Sequence, residues 1–354
     1  MSQKRVFAIL ILICWGVVLS GLIIFFSKKR TEKTCMLNYI ERSDGSAHLY
    51  IPVTLNDSIS HPVLFHTGAS HNFIDSVLAQ EIGFSTTAKD LIRKARLLPE
   101  SADSMALDAV RISIGNFKRR GVFFLNGYNG SFYVNSRRMQ DVGAIIGMDF
   151  IKHYNWLFNF ADSTVTISKD VIPVSAVPDD QILTLDYYLN NSACMDITMN
   201  GVTLNNVVFD TGYEVTHIEL YNKSTSVDLI FSKSDFEVLS SNMKANTFTI
   251  YSDGRGVSFH DTIQINDFKM QGLLALVNND NAHTRILPNF FRRFRMMYFD
   301  STNKQVQLYA SPSDSVRNHR RDLQNVIRTQ IQISKENMGD DLNEVLATLF
   351  DLLD

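Results

Sequence analysis

Cysteine is scarce in this chain of 354 residues: there are three, and Cys14 sits inside an apolar run, which leaves Cys35 and Cys194. That excludes a disulfide framework and allows one bridge at most. Charge of one sign is missing too, because 34 basic residues stand against 37 acidic ones, for a net charge of −3. A nucleic-acid partner is therefore not expected. The clusters Arg292, Arg293, Arg295 and Lys118, Arg119, Arg120 read as solvated faces or strand-edge protection. What is present is a globular composition, 45% hydrophobic and 20% charged, long enough for a sizeable core and two or three compact units.

Val6 to Phe26 carries neither charge nor proline. The run is long enough to span a bilayer, is apolar on every side, and ends without a small-residue cleavage site, so an uncleaved single-pass anchor over residues 1–30 is expected. Ile13 stands where a lipoprotein box needs a small residue before Cys14, which argues against lipidation. Lys4 and Arg5 on one flank nearly balance Lys28, Lys29 and Arg30 on the other, which slightly favours the C-terminal side as cytoplasmic, a bias that a long domain can override. The expected placement of the soluble part is extracytoplasmic, at the membrane.

The strongest signal is internal repetition. "RISIGNFKRRGVFFL" (111–125) and "TIQINDFKMQGLLAL" (262–276) share Ile, Ile, Phe, Lys, Gly and Leu at the same spacings, 151 positions apart. "LFHTGAS" (64–70) and "VFDTGYE" (208–214) place His66 and Asp210 144 positions apart. "MDFIKHYNWLFNFADSTVTI" (148–167) matches "PNFFRRFRMMYFDSTNKQVQL" (288–308) at an offset of 140 to 141. Three ordered blocks whose offsets differ by loop-sized insertions mark a duplicated unit.

Each copy is β-rich, with alternating runs rich in Val, Ile, Phe, Tyr and Thr. "NWLFNFADSTVTIS" and "RMMYFDSTNKQVQLY" read as hairpins, as does "TIYSDGRGVSF" with Asp253-Gly254 at its tip. Short helices are expected in "IDSVLAQEIG", "MDFIKHY" and "NFFRRF". The copies cover 45–170 and 191–310, with a linker at 171–190 where Pro173, Pro178, Asp179 and Asp180 interrupt the strands. Over 311–354, Leu323, Val326, Ile327 and Ile331 form one helical stripe, and Leu342, Val345, Leu346, Leu349, Phe350 and Leu353 a second. These predict a helical extension that docks on the body or takes a partner helix.

Paired motifs "FHTGAS" and "FDTGYE", with "AIIGMDFIKHYN" closing the first copy, resemble the two-lobed aspartic proteases, specifically the retropepsin-like branch. The resemblance covers roughly residues 45–310 and implies a mostly β, two-lobed acid-protease fold between the transmembrane helix and the helical extension. In the second copy Pro288 and Asn289 replace the usual glycine-containing step, and Tyr213-Glu214 the usual small pair.

The family reaction needs two carboxylates sharing one proton across a pseudo-twofold axis, one acting as base on a water and the other as acid to the carbonyl. The resemblance makes Asp210 and His66 the catalytic positions. Thr67, Gly68, Ser70, Thr211 and Gly212 support them, and Tyr251 is a candidate flap residue. An imidazole cannot share a proton as a second carboxylate does, so an ion pair between Asp210 and His66 is expected. Hydrolysis then requires Asp210 as base and protonated His66 as the group that polarises the carbonyl. Three readings stay open: an aspartic-type endopeptidase, a silent pseudoprotease holding a peptide or protein segment in the interlobe cleft, and a β core that only presents its tail. No cofactor is expected. Nor is a metal, because His61, His66 and His71 alternate faces at their five-residue steps.

Overall fold

The computed structural model describes residues 34–310 except 41–46, 59, 84–104, 126–132, 135–136, 139–142, 176, 179–180, 214–216, 221–222, 243–246, 253–254 and 279–281. The apolar amino-terminal run, Glu214 and the carboxy-terminal stripes lie outside the described residues. Among those described, no helix is long and apolar enough to cross a membrane.

β1 (Thr34–Asn38) precedes the first copy, which contains β2 (Tyr50–Leu55), β3 (Ser60–Phe65), β4 (Asn72–Ile74), α1 (Ser76–Glu81), β5 (Met105–Ile114), β6 (Phe117–Leu125), β7 (Tyr133–Val134), β8 (Arg137–Arg138), β9 (Ala144–Ile146), α2 (Met148–Ile151), β10 (Asn155–Asn159) and β11 (Thr164–Ser168). Six of its strands close a barrel in the order β2-β3-β9-β4-β6-β5. Alternation explains its interior: Ile51, Val53 and Leu55 on β2 are fully buried, as are Val63 and Phe65 on β3 and Val110 and Ile112 on β5. Asp75 caps α1 by accepting the Leu78 amide at 2.6 Å.

After β12 (Ile182–Asp186) and β13 (Tyr188–Asn190), the second copy runs through β14 (Ser192–Met199), β15 (Val202–Phe209), β16 (His217–Leu220), β17 (Lys223–Ser226), β18 (Leu229–Ser232), α3 (Lys233–Asn242), β19 (Thr247–Ser252), β20 (Arg255–Ile265), β21 (Phe268–Asn278), β22 (Arg285–Ile286), α4 (Pro288–Arg292), β23 (Met296–Asp300) and β24 (Gln305–Tyr309). Its eight-stranded sheet has the order β13-β14-β15-β22-β18-β21-β20-β19, with a further pairing of β14 to β20. Asn200 and Gly201 both take positive φ, 49° and 83°, at the tight turn between β14 and β15, the backbone that matches strand twist.

The copies share a six-stranded sheet, ordered β1-β11-β10-β23-β24-β12. At its centre Trp156 faces Phe299 and Asn159 faces Met296. Both 156 to 296 and 159 to 299 are steps of 140, so the pseudo-twofold axis passes between these two strands. The stretch read from sequence as a linker, 171–190, holds β12 and β13, and β12 joins the shared sheet by pairing with β24. Phe65 touches Trp156, Phe158 and Phe299 edge-on at ring distances of 5.0, 5.1 and 6.4 Å. This aromatic cluster lies directly under the end of β3, where the first ionisable residue follows.

Candidate functional site

β3 ends at Phe65 and β15 at Phe209, and the next residues, His66 and Asp210, open two turns that meet between the lobes. Each turn is anchored alike: the His66 amide donates to Ile146 O at 3.0 Å and the Asp210 amide to Ile286 O at 2.9 Å. Thr67 and Thr211, both fully buried, reach across the axis. The Thr67 hydroxyl donates to Phe209 O at 2.5 Å and accepts the Thr211 amide at 3.1 Å. Reciprocally, the Thr211 hydroxyl donates to Phe65 O at 2.7 Å and accepts the Thr67 amide at 3.0 Å. Threonine suits both places because one small hydroxyl serves as donor and acceptor at once.

Each glycine lies beneath the ionisable side chain of the other lobe. A Cβ on Gly68 would sit 2.3 Å from the Asp210 carboxyl carbon, and one on Gly212 would sit 2.3 Å from Cγ of His66. Gly212→Ala is therefore expected to drive the imidazole off Asp210 and to cost about 2 kcal/mol, as overpacking does. Thermal unfolding measures the cost. A loss below about 0.5 kcal/mol, the size of a neutral surface change, overturns the close approach.

His66 Nδ1 stands 3.0 Å from Asp210 Oδ1, with side-chain exposures of 15% and 1%. The ring meets the carboxylate at ion-pair range but out of line for a hydrogen bond. Oδ1 also accepts the Gly212 amide at 3.2 Å. The second oxygen is taken by a residue that the sequence analysis did not single out: Arg285 Nη1 donates to Oδ2 at 2.6 Å. The Arg285 guanidinium also lies over the Tyr213 ring, 4.9 Å from its centroid, and its side chain is 27% exposed. Burial alone would push the Asp210 carboxyl up, but the His66 ring and the Arg285 guanidinium outweigh it and hold the group at about 2.

The duplication shows how Arg285 arrives there. Ile145 and Ile146 pair in parallel with Leu64 and Phe65, and Arg285 and Ile286 pair in the same way with Val208 and Phe209. Arg285 thus occupies the place of Ile145, a fully buried side chain packed with Tyr50 and Leu64. The one charged residue in "RILPNFF", opposite isoleucine in "AIIGMDF", was the available signal. The same register sets Leu287, rather than Pro288, opposite Gly147. A Cβ on Gly147 would lie 2.2 Å from the His71 carbonyl oxygen. Leu287 is fully buried among Val227, Ile230 and Leu276, with Tyr213 against them.

Of the other predicted residues, Ser70 contributes its carbonyl to the Asp149 amide at 3.0 Å. Tyr251 lies on β19 beside the hairpin tip, paired with Gly256. His61 lies on β3, and His71 pairs with Asp149 at 2.6 Å. Among the described residues no group of three or more His, Cys, Asp or Glu is placed to hold a metal ion. His48, also not singled out from sequence, is buried with Nε2 3.3 Å from Tyr213 O, a further contact between the lobes beside the site.

Chemically, the centre is one buried carboxylate held between two basic side chains. A carboxylate held near 2 keeps its charge across the physiological range and accepts a proton poorly.

Residues 51–150 match the family model described as aspartyl protease. No curated protein matches the chain. Among solved structures, a retropepsin-like aspartic protease from Rickettsia conorii is 14% identical, with 36% of this chain and 90% of that one covered at a TM-score of 0.25. Basic 7S globulin from soybean is 9% identical over 81% and 99% of the two chains, TM-score 0.43. Conglutin gamma, a basic 7S globulin from lupine seeds, is 10% identical over 79% and 95%, TM-score 0.42. The family match over 51–150, falling on the copy that carries the first Thr-Gly turn, supports an aspartic protease family for this protein.

Proposed function

We propose that this protein is a retropepsin-like aspartic protease homologue whose interlobe cleft holds an extended peptide segment without cleaving it. The observation that carries this reading is the 2.6 Å contact between Arg285 and Asp210 Oδ2. In the two-carboxylate reaction, one oxygen must accept a proton from the attacking water while its partner donates one. Here His66 offers no second carboxylate, and both Asp210 oxygens are engaged. The Thr67 and Thr211 exchange and the paired glycines are nevertheless kept, and they hold the backbone geometry of a cleft floor. The Val6 to Phe26 run supports a membrane anchor for the whole.

A second reading, hydrolysis by an Asp210 and His66 pair, is favoured by one observation, the 3.0 Å approach of the imidazole to Oδ1. Cleavage of a diverse peptide library by the full chain, solubilised in mild detergent and scanned from pH 3 to 8, separates the two. The silent reading expects no cleavage by the wild type and gained acid-pH cleavage by His66→Asp combined with Arg285→Ile, which restores two carboxylates and the first-lobe residue. Wild-type cleavage that disappears in Asp210→Asn overturns it in favour of hydrolysis.

A further inference from the structure

We propose that the centre of this site recognises a carboxylate, so that the segment it holds carries an acidic group at the position facing Arg285 and His66. This rests on the peptide-binding reading above and specifies its ligand. The first observation is charge. Two carboxylates sharing a proton carry a net negative charge, whereas Asp210 with Arg285 sums to zero, and to plus one whenever His66 is protonated. The sign of the centre has changed.

The second observation is which charges face outward. Asp210 is 1% exposed, while the His66 and Arg285 side chains over it are 15% and 27% exposed. The anion is covered by the basic groups that neutralise it, so an arriving ligand meets those groups. Third, the Arg285 guanidinium is fixed before a ligand arrives. Nη1 is held on Asp210 and one face lies against the Tyr213 ring, and neither contact uses all five N–H donors of the fork. A held, partly exposed guanidinium forms charge-assisted hydrogen bonds to a carboxylate with little further loss of side-chain entropy. Finally, the equivalent first-lobe position is Ile145, fully buried in an apolar cluster. The two halves of the site therefore differ in chemistry, and a segment crossing it has its acidic group on the second-lobe side.

The test is fluorescence polarisation with the detergent-solubilised full chain and labelled decapeptides, capped at both ends and scanned with Glu against Gln at each position. A second set of the same peptides has a free carboxy terminus, which distinguishes a side-chain carboxylate from a chain end. At one position, or at the free terminus, the acidic form is expected to bind about tenfold more tightly, the worth of one charge-assisted hydrogen bond. Arg285→Ile is expected to bring that ratio to about one, and Arg285→Lys to keep part of it, with circular dichroism melts confirming that each variant is folded. If Arg285→Ile does not fold, Arg285→Gln takes its place. Equal binding of acidic and neutral peptides by the wild type overturns the carboxylate assignment and leaves the cleft reading standing. If no peptide binds at all, both fall.

Discussion

Thr67→Val is expected to lower the melting temperature by about 5–7 °C, the largest effect of any single substitution of this size in the site. Valine has the shape of threonine, so the loss is confined to hydrogen bonding. It removes the only acceptor shown for the Thr211 amide and the donor to Phe209 O, both deep between the lobes. Each buried group left without its partner costs about 1–3 kcal/mol, so about 4 kcal/mol is expected for the two. Thr67→Ser keeps the hydroxyl and is expected to cost about 1 kcal/mol, the value of a buried methyl group. Equal losses in the two variants would show that the hydroxyl exchange does not hold the lobes together. Because the exchange is reciprocal, Thr211→Val added to Thr67→Val is expected to cost less than the sum of the two singly.

Acid is expected to weaken the fold in two separable steps. The first belongs to His260, buried on β20 with its ring 6.0 Å from that of Phe231. Burial pushes this imidazole down from 6.5 to about 4. The folded state binds the proton less readily than the unfolded chain, so stability is complete above pH 6.5 and is lost as pH falls toward 4. The loss is about 3 kcal/mol. The second step belongs to Asp210, whose folded value of about 2 lies below its ordinary 3.8. A depressed carboxylate contributes stability that is present above pH 3.8 and lost as pH falls through 2, here about 2 kcal/mol. Urea unfolding at intervals from pH 7.5 to 2.5 measures both. His260→Gln is expected to flatten the upper part of the profile and Asp210→Asn the lower part. An unchanged slope between pH 6.5 and 4 in His260→Gln would remove His260 as the cause.

The duplication, its hairpins and the meeting of His66 with Asp210 were all legible in the sequence, because each is written locally or repeats at a fixed offset. Strand alternation is a matter of neighbouring residues. Turn residues fix the hairpins, and Ser163 and Lys304 take positive φ, 51° and 57°, in the two Asp-Ser-containing turns. Two copies of one motif in a duplicated chain meet at the axis by symmetry.

What tertiary structure alone decided concerns pairings between segments far apart in the chain. The shared sheet takes its edge strands from 34–38 and 182–186, stretches outside both copies of the repeat or within the linker as read from sequence. Nothing in their composition names β11 and β24 as their partners. Arg285 is the sharpest case. In the sequence it is one arginine among several near residue 290, and it becomes part of the site because β22 pairs in parallel with β15 and places Arg285 beside Val208, two residues before Asp210. A parallel pairing has no turn to announce its register. The identity of the two ionisable residues on the axis came from the chain itself, but whether their carboxylate keeps a free oxygen was decided by a side chain 75 positions away.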